Sequence, residues 1–250
     1  MATRPPSETA EILPHPSAQR LSLAELAYER LEAQIVRCGL RPGAEVTLQD
    51  IQALIGLGRT PVHEAVKRLA ADTLLSVRPR AGLRVMPIDL AREATLLQLR
   101  REMERFVVSL AALRASAAQR SQMMRLARKL RERRDVMTVD EFNVYDRLLD
   151  RILLEAAAEP FLAHTLRPLH TMFRRTGWLY LTHVGTADEV KASIDGHIPI
   201  LDAVIRQNAE AAKAASDLVI GLAGAMVDRL EQEIDPALLD VGLDIEPALS

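Results

Sequence analysis

Gly56-Leu57-Gly58-Arg59-Thr60-Pro61-Val62-His63-Glu64-Ala65-Val66-Lys67-Arg68-Leu69 decides the fold of the first part of this chain. Its two glycines supply the backbone freedom for a tight turn. Thr60 can cap a helix with its hydroxyl, and Pro61 then stands at the first helical position, where a missing N–H costs nothing. Val62, Ala65, Val66 and Leu69 recur at spacings of three and four, which defines one buried face. Arg59, Thr60, His63 and Lys67 are left near the outer face and the helix start. A short helix that follows a Gly-containing turn and opens on polar and basic groups is what a helix-turn-helix presents to a DNA major groove.

The flanking segments extend that pattern. From Ser22 to Cys38, Leu23, Leu26, Ala27, Leu31, Ile35 and Val36 form an apolar helical stripe that Gly39 ends. Leu40-Arg41-Pro42-Gly43 reads as a turn, and Thr47-Leu48-Gln49-Asp50 as the cap-x-x-acid start of a second short helix reaching Ile55. Downstream, Leu74 to Arg78 and Leu83 to Pro87 are alternating runs around Pro79-Arg80-Ala81-Gly82, a β-hairpin with a basic tip. Three helices and a wing make a winged helix-turn-helix.

Charge is concentrated there. From Gly56 to Met86 the cations are Arg59, Lys67, Arg68, Arg78, Arg80 and Arg84 against Glu64 and Asp72, a local excess of four, whereas the whole chain carries −2. A basic module on a slightly acidic body suits local phosphate binding rather than general polycation behaviour. The 250 residues are enough for two cores. Hydrophobic residues make up 48% and aromatics 3%, which favours helix packing over sheet. The single cysteine, Cys38, rules out an intrachain disulfide and fits a reducing cytoplasm. No apolar run is long enough for a membrane span, so no membrane partner is expected. Residues 1–20, with Pro5, Pro6, Pro14 and Pro16, read as a disordered leader without a signal-peptide core.

Arg37-Cys38-Gly39-Leu40-Arg41-Pro42-Gly43, the Gly56–Ala65 stretch and the wing ending in Gly82 together resemble the GntR family of bacterial transcription regulators, from Leu21 to about Pro87. The resemblance implies double-stranded DNA as partner, with Gln49, Arg59, Thr60, His63, Lys67, Arg80 and Gly82 at the interface. Two departures stand out. The family usually has Arg at position 63 and a Glu-Arg pair where this chain has Leu48-Gln49. Arg reads guanine bidentately and is always charged, whereas Gln pairs better with adenine and neutral His adds no charge. An operator differing from the family's usual pattern, or a lower affinity, follows.

From Asp89 onward the periodicity predicts helices almost to the end. Asp89 caps a long helix with Leu96, Leu99, Met103, Phe106, Val107, Leu110, Ala111 and Leu113 as its inner stripe. Others follow from about Ser116 to Asp135, Val139 to Ala158, Phe161 to Leu181, Ala187 to Gln207 and Asn208 to Ile234, with Pro168 and Pro199 expected to interrupt theirs. The resulting fold is mostly α: a winged helix-turn-helix over 21–88, a roughly six-helix bundle over 89–232 and a loosely attached acidic tail over 233–250.

Leu99-Arg100-Arg101-Glu102-Met103-Glu104 and Ile198-Pro199-Ile200-Leu201-Asp202-Ala203-Val204 resemble the all-helical effector domain of the FadR subfamily, the FCD type. That resemblance implies a homodimer on a palindromic operator and a small-molecule effector, an organic acid by analogy with the family. It implies regulation, with repression the commoner outcome, and no enzyme activity. Many such domains hold a divalent metal ion with an Asp and three His; the corresponding positions here are Asp146, Asp150, His197 and Val219. Two readings stand side by side: an altered metal site built by Asp146, Asp150 and His197, or polar residues of an effector pocket without metal. Arg100 can contact an effector carboxylate or pair with Glu104 one turn on. Arg174 and Arg175 are weaker candidates of the same kind, while His164, His170 and His183 receive no role from spacing. The rival class is a metal-dependent enzyme on the bundle using Asp146, Asp150 and His197; a further alternative is a DNA-binding regulator without effector sensing.

Overall fold

The computed structural model describes residues 22–78, 80 and 82–244. The expected leader over 1–20 and the end of the tail lie outside them. Ser22 accepts a hydrogen bond from the Glu25 N–H and opens α1 (Leu23–Val36), whose Ala27, Leu31 and Ile35 are fully buried. Cys38, rather than Gly39, takes the left-handed conformation that closes this helix, at φ 51°. Strand β1 (Glu45–Val46), which carries no alternation to reveal it, precedes α2 (Leu48–Ile55). There Thr47 and Asp50 cap each other reciprocally, as the sequence pattern requires.

Helix α3 (Arg59–Ala71) buries Val62, Ala65, Val66 and Leu69. Its cap is Gly58, which gives no side-chain bond. Thr60 therefore lies inside the first turn and is not the cap. Pro61 falls at the third helical position, still among the residues whose N–H groups have no partner within a helix. Only Gly56 needs its freedom, at φ 66°; Gly58 is extended at φ −68°, with nothing within 4 Å of where a Cβ would stand. Strands β2 (Leu75–Arg78) and β3 (Gly82–Val85) form the wing, and β3 pairs antiparallel with both β1 and β2. At Gly82, φ is 94° and a Cβ would meet the Val46 carbonyl oxygen at 3.0 Å, so the tight crossing of β1 and β3 demands glycine.

Six helices follow: α4 (Leu90–Arg114), α5 (Ala117–Arg133), α6 (Val139–Ala157), α7 (Pro160–His183), α8 (Ala187–Ile205) and α9 (Ala209–Glu233). Asp89, Ser116, Thr138, Glu159 and Asn208 cap five of them with their side chains. Helices α4 and α9 run antiparallel at the centre: Leu97 faces Gly224, and Arg105 pairs with Asp217 at 2.9 Å. Helix α6 packs on α4 and α7, α8 packs on α9 and α5, and α7 also packs on α1 of the head. Both α7 and α8 continue through their prolines, Pro168 and Pro199, instead of breaking. Leu99, Phe106 and Leu113, expected inside, are 51%, 55% and 67% exposed. The inner face of α4 is centred on Glu104, Val107, Val108, Ala111 and Ala112, which turns the seven-residue stripe outward. No helix among the described residues is long and apolar enough to cross a membrane.

The tail departs most from expectation. Beyond α9, turns at Pro236–Leu238 and Val241–Asp244 fold back against the head. The Ile88 N–H donates to the Leu239 carbonyl at 2.9 Å and the Val241 N–H to the Pro42 carbonyl at 3.0 Å. Arg84 of β3 pairs with Asp240 at 3.0 Å. The described part of the tail is docked, because its backbone finds partners in the linker and the turn before β1.

Candidate nucleic-acid interface and effector pocket

The outer face of α3 leaves Arg59, Thr60, His63 and Lys67 exposed while the opposite face is buried. Gln49, in the first turn of α2, is exposed too, as is Arg80 at the wing tip, held at φ 66°. The α3 N-terminus has no side-chain cap, so its first N–H groups remain open to an acceptor. The other cations of this region are committed internally. Arg68 pairs with Glu25 at 2.8 Å and lies 3.9 Å over the Tyr28 ring; Arg78 pairs with Glu45 at 2.8 Å, and Arg84 with Asp240. The local positive excess in the sequence thus overstates the free charge: Lys67 lies 3.6 Å from Glu64, and Arg59 and Arg80 carry most of what remains.

The second site is a buried ionic cluster in the bundle. One turn apart on α6, Asp146 and Asp150 both receive the Arg174 guanidinium from α7, Nε at 3.1 Å from Asp146 and Nη2 at 2.5 Å from Asp150. His197 of α8 sets Nε2 3.1 Å from Asp146, sets Nδ1 2.7 Å from the Ser193 carbonyl, and packs edge-on against Phe142. His170 bridges Asp150 at 3.3 Å and Glu104 at 2.7 Å. Arg100 pairs with Glu104 at 3.1 Å and lies 5.0 Å from the Phe173 ring centre. Its geometry is the helical ion pair, not a side chain aimed at open space.

Burial alone would raise every carboxyl here. In Glu104 the adjacent His170 and Arg100 prevail and hold it at about 2; in Asp146, His197 and Arg174 do the same. Asp150 goes the other way: burial, reinforced by the charges of Asp146 and Glu104, raises it. His197 is shifted up because its ion pair with Asp146 outweighs burial.

A divalent metal fits this donor set poorly. Both aspartates already hold a guanidinium, both His197 nitrogens are engaged, and Val219 offers no donor. No group of three or more His, Cys, Asp or Glu among the described residues is arranged to hold a metal ion. The reading of Asp146, Asp150 and His197 as metal ligands therefore gives way to an ion network in which Arg174 is the cation. Arg174 and His170, one turn apart on α7, were the residues whose importance spacing left obscure. Glu32 could not be seen at all, because it reaches the cluster from the other domain: Thr171 Oγ1 donates to it at 2.5 Å and Arg147 Nε lies 2.9 Å away.

Residues 23–85 match the bacterial regulatory proteins of the gntR family, and residues 95–221 match the FCD domain. The chain belongs to the GntR family. It is a DNA-binding transcription regulator with an FCD effector domain. Its relatives include the HTH-type transcriptional repressor RspR of Escherichia coli, 23% identical over 82% of this chain and 89% of that protein. The HTH-type transcriptional regulator YieP of the same species is 26% identical over 82% of this chain and 96% of its own length. Among solved structures, E. coli McbR/YncC shares the fold with a TM-score of 0.74 at 20% identity, covering 85% of this chain and all of that one. A GntR regulator from Rhodococcus sp. RHA1 reaches 0.62 over 82% of this chain and 97% of its own.

In this GntR-family chain, head and bundle meet along α7. Arg175, next to the cluster's Arg174, donates to the linker carbonyls of Met86 at 2.7 Å and Pro87 at 3.2 Å. Thr176 donates to Glu93 at 2.6 Å, while the other Glu93 oxygen is buried without a partner. Burial pushes the Glu93 carboxyl up to about 7. A carboxyl raised on folding stabilises fully below its unfolded value of 4.5, and that contribution is lost as pH rises through 7. Glu93→Gln is therefore expected to remove a pH-dependent loss of roughly 3 kcal/mol at most. Melting curves should show the wild type weakening between pH 5 and 8 and the variant holding level; parallel curves would show that Glu93 ionises without cost.

Proposed function

We propose that this GntR-family protein is a ligand-responsive repressor that binds a palindromic operator as a homodimer. The observation that carries the reading is the exposure of Gln49, Arg59, Thr60, His63, Lys67 and Arg80 on the winged helix-turn-helix, together with the uncapped start of α3. Arg59, Thr60 and His63 address base edges and adjacent phosphates, Lys67 and Arg80 the backbone, and Gln49 the neighbouring phosphate or an adenine. Gly82 sets the wing tip that carries Arg80. Repression is supported by the relative named as a repressor.

Dimerisation is supported by Leu99, Phe106 and Leu113, three exposed apolar side chains seven residues apart on α4, with Leu218 exposed on its antiparallel partner α9. A second copy covering this stripe would set two heads on adjacent half-sites. The effector, an organic acid, enters at the cluster of Arg100, Asp146, Asp150 and His197 by displacing one of the carboxylates that now pair with Arg174. A metal-dependent enzyme would need the same aspartates as ligands, and Arg174 holds both.

The test is binding to DNA upstream of the protein's own gene. Affinity should fall on the order of 10³-fold between about 50 and about 200 mM salt, with a steep advantage over scrambled DNA. Phe106→Asp should yield a monomer by sedimentation and lose most of that affinity. Salt-independent binding, or a monomeric wild type that binds as well, would defeat the reading.

A further inference from the structure

Between α1 of the head and α5, α6 and α7 of the bundle lies a groove of about 1380 Å³. Its walls include Tyr28, Val36, Val144, Leu148, Leu154 and Ala163, and its lining includes Glu32 together with Arg147, Thr171 and Arg174, which Glu32 meets. The Glu32 side chain is 4% exposed. Its Oε1 accepts from Thr171 Oγ1 at 2.5 Å and lies 3.7 Å from Arg174 Nη1. Its Oε2 lies 2.9 Å from Arg147 Nε, yet that contact is not aligned as a hydrogen bond and the atom is otherwise unpartnered. Every one of these partners belongs to the bundle, whereas Glu32 belongs to the head.

A carboxylate of the head is therefore seated on bundle donors in the lining of a partly apolar groove large enough for a metabolite. We infer that Glu32 is an internal stand-in for the carboxylate of a monocarboxylate with an apolar body, which binds in this groove by taking over Thr171, Arg147 and Arg174. The inference deepens the effector reading proposed above and rests on it. Exchange of one carboxylate for another leaves the charge of the lining unchanged, so no buried cation is stranded. The apolar body of the ligand gains the groove walls. The remaining charged lining is mixed, Glu25, Glu29, Glu141, Glu155 and Glu159 against Arg37, Arg125, Arg151 and Arg167, so the apolar walls rather than net charge select the body of the ligand. Release of Glu32 frees α1 from α7 and so lets the head change its setting on the bundle, which gives the ligand different affinities for the two arrangements.

The experiment is calorimetric titration of the full chain with octanoate, with 1-octanol and octylamine as controls. Glu32→Gln removes the competing charge while keeping the shape, and should bind octanoate at least tenfold more tightly than wild type, with no gain for either control. Adding Thr171→Val to Glu32→Gln should return the affinity towards the wild-type value. Glu32→Asp, which retains the charge but shortens the reach, serves should Glu32→Gln fail to fold; it too should bind octanoate more tightly than wild type. Equal octanoate affinity in wild type and in the folded variants, or an equal gain for 1-octanol, would overturn the proposal. Salt-dependent DNA binding measured on the same samples separates the two failures: DNA binding retained without octanoate binding sinks this inference alone.

Discussion

Arg59→Ala is expected to abolish specific operator binding while leaving the melting temperature unchanged. The side chain stands exposed at the first position of α3, and no ion pair joins it to any described residue. Truncation therefore removes no packing. What it removes is a fork that can address a guanine edge and a phosphate together, worth about 1–3 kcal/mol per bidentate base contact. In a dimer the loss is taken twice, so affinity should drop by on the order of 100-fold or more. Fluorescence anisotropy against specific and scrambled DNA reads this directly. If discrimination survives intact, α3 is not the reading helix. Lys67→Ala, by contrast, should weaken both DNAs alike and make the salt dependence shallower.

Arg174→Met is the change expected to cost the fold most. It keeps an extended side chain but leaves Asp146 and Asp150 facing one another, with Glu32 nearby, in a buried site deprived of its shared cation. Breaking a buried ion pair by removing one partner costs about 3–5 kcal/mol, which for a chain of this size is on the order of 10 °C in melting temperature. The pH dependence provides a sharper check. In the wild type, Asp146 is held below its ordinary 3.8, so its contribution is present above that value and is lost as pH falls further. Without Arg174 the carboxyls rise and take up protons on folding, so the deficit should shrink as pH falls towards 4. Arg174→Lys should recover only part, since a point charge cannot fork between two carboxylates. A variant as stable as wild type at pH 8 would mean the cluster is solvated enough to need no cation.

Local signals accounted for most of the architecture. Thr47 and Asp50 cap α2 as a pair because both partners lie within four residues, which is what spacing reports. Val62, Ala65, Val66 and Leu69 are buried because a face repeated every three or four residues has one way to pack. The structure departs from the sequence pattern where two local rules compete. Thr60 and Gly58 were both able to start α3, and the extended backbone at Gly58 won. Leu99, Phe106 and Leu113 satisfied the helical period, yet so did the set around Glu104 and Val107; an apolar period cannot say which face meets the core and which is kept for another surface.

The pocket was less legible for a different reason. Asp146, Asp150 and His197 were found through the family pattern, and they do converge. Their chemistry depends on Arg174, which comes from another helix, and on Glu32, which comes from another domain. Neither distance is encoded in any short spacing. The one available hint was on α7, where His170 and Arg174 share a face at i and i+4.

The docked tail bears on the order in which the protein is made. Arg84 and its partner Asp240 are 156 residues apart, and the linker and the turn before β1 wait for the same segment. At about 5–20 residues per second of synthesis, roughly 10–30 s separate the two. During that interval the nascent head has its three helices and its hairpin but lacks the clasp that fixes the hairpin against the bundle. A chain halted by a premature stop after α9 would carry the head's helices and hairpin without the Arg84–Asp240 pair that ties the hairpin to the tail.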